Sequence, residues 1–357
     1  MSFLENIKPT VRALETYAVK GKAPQPGLIK LNQNENPFDI PDEIKRELAE
    51  EFLRRPWNRY PGVFPDELLN ALSAFVRHPV EGIMAGNGSN ELMYTVLMAV
   101  ITQGTKVLIP SPSFFLYEKA VRILDGEVLS VMMNPDLSFP TEKILEVARR
   151  EKPALIVLVS PNSPTGQSIS VEDVERILNG TESIVLVDEA YIEFSEKQSV
   201  KDLLRSHDRL IVLRTFSKAF SMAGLRVGYL LAAPSLCAEL LKPKIPFTVN
   251  SFSAAVSMKL LTRRDIIDER IAFIKNQKNF LLKSLRTMRG VDPYSSDTNF
   301  LLFRTPHAAH VLFDRLLQRN VLIRDVSSYA MLERALRVNV GTEGENKTFL
   351  SVLQEIL

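Results

Sequence analysis

Uninterrupted apolar runs recur along this chain: Lys106-Val-Leu-Ile-Pro110, Leu155-Ile-Val-Leu-Val159, Ser183-Ile-Val-Leu-Val187, Leu210-Ile-Val-Leu213 and Val227-Gly-Tyr-Leu-Leu231. A strand with one wet face alternates apolar and polar residues, whereas a continuous β-branched run marks a strand covered on both faces, as in a largely parallel sheet. Between the runs lie segments of helical period such as Val171-Glu-Asp-Val-Glu-Arg-Ile-Leu178, opened by Ser170 with Asp173 three residues on, the pattern of a capping box. The alternation predicts an α/β fold with a mostly parallel central sheet flanked by helices on both sides.

From about residue 260 the pattern changes. A long charge-laced helical stretch from Arg264 to Arg289 leads into the apolar run Asn299-Phe-Leu-Leu-Phe-Arg304. A helix around Ala308 to Arg319, the runs Val321-Leu-Ile-Arg324 and Leu336-Arg-Val-Asn-Val340, and a final helix follow. With 357 residues the chain exceeds what one hydrophobic core usually serves. The expected division is a large domain over 41–255 and a smaller α+β domain over 256–357. Residues 1–40 carry Pro9, Pro24, Pro26 and Pro37 with little periodicity and are expected to form an N-terminal arm.

Composition narrows the function classes. The formal net charge is +2 and no basic cluster stands out, which gives no footprint for nucleic acid. The first residues hold no apolar stretch of signal-peptide length, and the run from Leu92 to Ile101 is too short to span a bilayer, so no membrane partner is expected. One cysteine, Cys237, excludes an internal disulfide and fits a reducing cytoplasm. His307 and His310 stand near ligand spacing but lack a companion Cys, His or carboxylate pattern, so no metal site is expected. No Gly-x-Ser-x-Gly elbow supports a serine nucleophile.

The chemistry gathers behind the apolar runs. Open parallel sheets bind ligands outside the carboxyl ends of their strands. Ser160-Pro-Asn-Ser-Pro-Thr-Gly166, Asp188-Glu-Ala-Tyr191, Pro110-Ser-Pro-Ser-Phe114 and Arg214-Thr-Phe-Ser-Lys218 each stand at such an end. Lys218 lies among hydroxyl side chains, with Arg226 eight residues on. A lysine there can form an imine with a carbonyl, while Thr215, Ser217 and Arg226 offer donors to a phosphate; pyridoxal phosphate carries both groups. Gly86-Asn-Gly-Ser-Asn-Glu91 runs into an apolar helix, where backbone N–H groups and the helix dipole favour an anion, although no strong strand is read before it. Singly, each cluster reads as an ordinary turn or cap. Together, at the ends of successive buried strands, they read as a catalytic mouth.

These motifs, in unbroken order with Asn32-Gln-Asn-Glu-Asn-Pro37, Arg59-Tyr-Pro-Gly62 and Leu336-Arg-Val-Asn-Val-Gly-Thr342, resemble the fold-type-I aminotransferases, and within them the histidinol-phosphate branch. The resemblance implies that Lys218 holds pyridoxal phosphate covalently and that Asp188 faces the pyridine nitrogen. It further implies that Tyr191 and Asn162 bond the phenolic oxygen, and that Phe114 stacks on the ring where many relatives carry tyrosine. Ser89, Asn90, Thr215, Ser217 and Arg226 would cradle the phosphate; Asn90 stands where relatives often carry aspartate. Tyr60 would reach the phosphate of a neighbouring subunit in a homodimer. Arg337 and Arg324 would bind the anionic group of the substrate, with Tyr17 and Asn34 closing over it. The implied reaction is ping-pong transamination between histidinol phosphate and 2-oxoglutarate, with glutamate as the other product. An aromatic or broad-range aminotransferase and a threonine-phosphate decarboxylase share the same residue set. A pyridoxal-binding transcriptional regulator would need room for a DNA-binding domain that the motif order does not leave.

Overall fold

The computed structural model describes residues 3–16 and 27–357. Strands β1 (Ile29–Lys30), β2 (Ile83–Gly86), β3 (Lys106–Ser111), β4 (Glu127–Met132), β5 (Leu155–Val159), β6 (Ile184–Asp188), β7 (Leu210–Thr215) and β8 (Gly228–Ala232) are followed by β9 (Asp292–Pro293), β10 (Phe300–Arg304), β11 (Val321–Leu322), β12 (Arg324–Asp325) and β13 (Ala335–Asn339). Seven of them form one sheet in the order β2-β8-β7-β6-β5-β3-β4. Within it only β8 is reversed, antiparallel to β7 and to β2. All five apolar runs read from the sequence are strands of this sheet.

The continuous runs behave as their physics requires. Along β5, Leu155, Val157 and Val159 enter one hydrophobic core while Ile156 and Leu158 enter another on the opposite face. Val185 and Val187 of β6 and Leu210 and Val212 of β7 join the second of these cores; Leu186, Ile211 and Leu213 join the first. Alternate side chains of a strand point to opposite faces, so a run that is apolar throughout has a core on each side. Helices such as Gly88–Val100 and Val171–Gly180 supply those cores. At the start of the second helix the Ser170 hydroxyl accepts from the Asp173 N–H at 3.0 Å, the expected cap.

Two strands of the large sheet escape the sequence reading. Ile83-Met-Ala-Gly86 forms β2, so a strand does precede the Gly86–Glu91 motif, contrary to the expectation. It is only four residues long and ends in Ala and Gly, which carry no strand preference. β4 lies at the sheet edge with a mixed burial pattern, and so lacks the signature of a covered strand.

The second sheet, β12-β13-β10-β9, is antiparallel and packs with the helices Arg264–Thr287, Ala309–Gln318 and Glu343–Ile356. The last helix opens on a full capping box, Thr342 with Glu345. The segment expected as an arm divides in two. Ile29–Lys30 pairs in parallel with Val321–Leu322, the Asn339 N–H donates to the Leu31 carbonyl, and Leu31 is buried, so residues 29–34 are stitched into the smaller sheet region.

Behind the carboxyl ends of β6 and β7 lies a buried ion pair. Arg214 donates to Glu189 at 2.7 and 2.9 Å and to the Ser199 hydroxyl at 2.7 Å, and Glu189 also accepts from the Val200 N–H at 2.8 Å. Removing Glu189 leaves Arg214 with only the more distant Glu193, at 3.6 Å, and so with a poorly compensated charge in the interior. Glu189→Leu is therefore expected to lower stability by about 3–5 kcal/mol, read from equilibrium urea unfolding; a loss below about 1 kcal/mol, the range of an exposed pair, would refute that account.

Candidate active site

The carboxyl ends of the large sheet open into a cavity of about 450 Å³, a size typical of small-molecule sites. Its wall includes Lys218, Asp188, Tyr191, Phe114, Ser89, Asn90, Thr215, Ser217, Arg226, Asn34, Arg324 and Arg337. Twelve of the residues read from the sequence as site candidates thus share one space. Parallel strands deliver Phe114, Asp188, Thr215 and Lys218 to the same edge because their carboxyl ends are aligned. Arg226 arrives there for the converse reason: β8 is antiparallel, so the residues before it stand at the edge where β7 ends, with Thr215 opposite Gly228.

Asn162 lies behind the wall rather than on it. It is fully buried, its Oδ1 accepts from the Thr165 hydroxyl at 3.0 Å, and its Nδ2 points to the Ser113 hydroxyl at 3.3 Å. Tyr60 stands outside its own chain's cavity, 85% exposed and stacked on Phe247 at 5.0 Å. Tyr17 falls outside the described residues.

At the anion end, the helix Gly88–Val100 presents its N-terminus to the cavity through Ser89 and Asn90. Gly88 has φ +76, and a Cβ there would fall 2.4 Å from Nη2 of Arg226. A Cβ on Gly228 would fall 2.4 Å from the Ser89 nitrogen. These two glycines let the helix end, the guanidinium and β8 meet closely. Arg226 donates to the Ser217 hydroxyl at 3.2 Å, and the Thr215 hydroxyl accepts from the Ser217 N–H at 3.1 Å. Hydroxyls, a guanidinium and helix N–H groups converging on one point match a phosphate.

Lys218 donates to the Gln33 carbonyl at 2.8 Å. Burial, reinforced by the positive charge of Arg337, lowers its pKa to about 7. Asp188 moves the other way, to about 6, because burial disfavours the carboxylate more than its hydrogen bonds favour it. Those bonds come from the Tyr117 hydroxyl at 2.8 Å and the Ala190 N–H at 3.1 Å. Tyr191, its pKa raised by burial, accepts from Asn34 Nδ2 at 2.9 Å. Titratable groups pushed toward neutrality inside a cavity mark acid–base chemistry.

Arg324 and Arg337 are cross-strand partners on β12 and β13. Residues directly opposite in an antiparallel pair project to the same face, and both line the cavity. Arg337 donates to the Ser163 hydroxyl at 3.0 Å and to the Asn32 carbonyl at 2.9 Å. The sequence reading missed Tyr117, Ser163 and Asn32 as participants. Tyr117 sits in a helix, where nothing local marks it as a partner of Asp188 seventy-one residues away. Asn32 lines the cavity, is buried, and neither atom of its side-chain amide has a partner among the described residues; a buried amide of this kind calls for a ligand.

Comparison with known proteins agrees with this geometry. Residues 26–353 match the family described as aminotransferase class I and II. The chain belongs to that family of pyridoxal-phosphate-dependent aminotransferases. Its relatives include the histidinol-phosphate aminotransferase of Chlorobium chlorochromatii, 43% identical over 98% of this chain and 96% of that protein. The enzyme of the same name from Chlorobaculum tepidum is 43% identical over 98% of this chain and its own full length. The fold is that of the Sinorhizobium meliloti histidinol-phosphate aminotransferase, solved in complex with pyridoxal-5'-phosphate, with a TM-score of 0.88 at 22% identity over 99% of this chain and 97% of that one.

The lowered pKa of Lys218 has a direct consequence. Its amine is nucleophilic only when neutral, so reactivity is present above the folded pKa and lost as pH falls through it. Reductive labelling of Lys218 in cofactor-free protein, using an aldehyde and cyanoborohydride with peptide mass mapping, is expected to reach half its plateau near pH 7. A midpoint near that of a free lysine, about 10.4, would contradict the burial argument.

Proposed function

We propose that this chain transfers the amino group of L-histidinol phosphate to 2-oxoglutarate, yielding imidazole-acetol phosphate and glutamate, with pyridoxal phosphate held on Lys218. The observation that carries the substrate reading is the pairing of Arg324 with Arg337 across β12 and β13 on one wall of the cavity. Two guanidiniums on one face suit a phosphate dianion, and the same pair can take a carboxylate of glutamate in the second half-reaction.

Pyridoxal phosphate, when bound, supplies an aldehyde that condenses with amines and a ring that withdraws electrons from the substrate's α-carbon. The cavity fits it: the cradle of Ser89, Asn90, Thr215, Ser217 and Arg226 would hold the phosphate, and Phe114 would cover the ring. Asp188, fixed by Tyr117, would hold its carboxylate toward the ring nitrogen. Tyr191, oriented by Asn34, would bond the phenolic oxygen, with Asn162 supporting from behind the wall. Nζ of Lys218, drawn toward neutrality by burial, would take a proton from the substrate's α-carbon and deliver it to the carbon that the cofactor's aldehyde contributes.

A homodimer is part of this proposal. Tyr60, together with exposed Trp57, Val63, Phe64 and Ile245, forms an apolar surface that suits contact with a second copy. From there Tyr60 would reach the partner's phosphate. The chain is taken to divide near residue 255 into a cofactor-binding part and a part bearing the substrate arginines. A cytoplasmic location fits one free, buried cysteine, and no helix among the described residues is long and apolar enough to cross a membrane.

The deciding experiment is an absorbance titration of the cofactor-loaded protein. Histidinol phosphate should bleach the visible band, and 2-oxoglutarate should restore it. A response confined to phenylalanine would move the chain to the aromatic aminotransferases, and release of carbon dioxide from threonine phosphate would make it a decarboxylase. Lys218→Ala is expected to abolish multiple turnover while retaining part of the cofactor affinity. Arg324→Leu is expected to lower kcat/KM for histidinol phosphate by roughly 10- to 100-fold, the cost of one charge-assisted contact; an unchanged value would remove Arg324 from the substrate site.

A further inference from the structure

We propose that Lys244 and Glu91 form a buried positioning pair that sets the charge and the orientation of the phosphate-binding helix end, although neither side chain lines the cavity. Glu91 lies in the first turns of the helix Gly88–Val100. Asn87, at the cap, makes no side-chain cap bond; instead its N–H donates to Glu91 Oε2 at 2.6 Å. The carboxylate thus occupies one of the unpaired donors at the helix end and leaves those of the following residues turned to the cavity. Yet a carboxylate one turn from a phosphate cradle is a liability, since like charges repel where the helix end should attract.

Lys244 answers that charge. Its Nζ lies 3.2 Å from Glu91 Oε1, 2.8 Å from the Thr248 hydroxyl and 3.0 Å from the Ile245 carbonyl, so its three donors have acceptors. Thr248 in turn donates to Glu91 Oε1 at 2.9 Å, and Asn87 Nδ2 donates to the Thr248 carbonyl at 3.3 Å. The side chains of Lys244 and Glu91 are only 7% and 13% exposed, so water screens the pair weakly. The residues 244–248 are therefore fastened to the cap of the phosphate helix by a closed set of bonds. Lys244 acts on the cofactor through Glu91: with the pair intact, the helix end presents its N–H groups with no net opposing charge.

This inference rests on the reading that the cradle holds the cofactor's phosphate, and the test separates the two. The affinities of cofactor-free protein for pyridoxal phosphate and for pyridoxal, which lacks only the phosphate, are measured by fluorescence quenching. Lys244→Met should weaken pyridoxal phosphate binding about tenfold, the effect of one unpaired charge near a helix end, while leaving pyridoxal unchanged. Glu91→Gln should bind pyridoxal phosphate at least as tightly as the parent, and Glu91→Gln with Lys244→Met should recover most of the loss. Lys244→Arg should behave as the parent. A loss for Lys244→Met with no loss for Glu91→Gln is what a purely structural contact does not produce. Equal affinity of Lys244→Met and parent, a double variant as weak as Lys244→Met, or equal losses for both ligands would overturn the proposal. Where Lys244→Met fails to fold, weakened pyridoxal phosphate binding by Glu91→Gln would do so instead. A parent protein that binds the two ligands alike would strike at the phosphate cradle itself.

Discussion

Covering the large sheet on both faces is the constraint from which the site follows. Once Leu155 to Val159 and their neighbouring strands send alternate side chains into two separate cores, neither face can accept a polar group without a partner. The only places left for charge are the strand ends. Six strands running the same way put their carboxyl ends along one edge, and the reversed β8 brings Arg226 to that edge from the opposite direction. Backbone N–H groups freed at the start of the helix Gly88–Val100 lie at the same edge, because β2 delivers them there. The convergence of a lysine, an aspartate and a phosphate cradle is thus a consequence of topology.

The electrostatics of that edge depend on how little water reaches it. Lys218 falls toward neutrality and Asp188 rises for the same reason, the cost of keeping a charge in a buried place. Neighbours then tune each one: Arg337 disfavours a charged Lys218, whereas the Tyr117 hydroxyl and the Ala190 N–H stabilise a charged Asp188. Around them Arg226, Arg324 and Arg337 outnumber the carboxylates lining the cavity, Glu35 and Asp188. An excess of guanidinium on a cavity wall suits anionic ligands. The chain's own polar groups offset part of that excess, as Arg337 does on Ser163 and on the Asn32 carbonyl.

What the sequence disclosed follows from the range of the forces involved. The five covered strands and the Ser170 cap were legible because burial on both faces and capping leave local marks. Lys218 and Asp188 were legible because strand ends in a parallel sheet share an edge, and Arg226 because it follows Lys218 by eight residues. Strand β2 was hidden by its length and by Ala85 and Gly86, and β4 by an edge position that permits polar residues. Tyr117 and Asn32 were invisible for a different reason. Tyr117 matters through Asp188, far along the chain, and Asn32 through the cavity its unpartnered amide lines, and no local pattern encodes either. The segment 29–34 was read as part of an arm from the prolines and weak period of residues 1–40; its pairing with Val321–Leu322 depends on residues nearly three hundred positions away and leaves no local mark.

That segment also explains how two sheet regions share one site. Gln33 accepts from Lys218, Asn34 orients Tyr191, and the Asn34 carbonyl accepts from Asn299 while its N–H donates to Asn339. One stretch of chain therefore bonds Lys218 and Tyr191, at the end of the large sheet, to strand β13 and the turn before β10 of the small one. Lys218 and Asp188 stand at the end of the large sheet, and the arginine pair proposed to face the substrate stands on the small one. Changes on β12 can then alter which anion is accepted, whereas a change at Arg337 on β13 also reaches Lys218, whose charged form Arg337 disfavours. The linking asparagines have no such freedom, because each answers to both sides at once; Asn34 holds a left-handed backbone with φ 56 in doing so. A residue committed to a strained conformation and to partners on two sheets is a place where substitution costs stability and chemistry together.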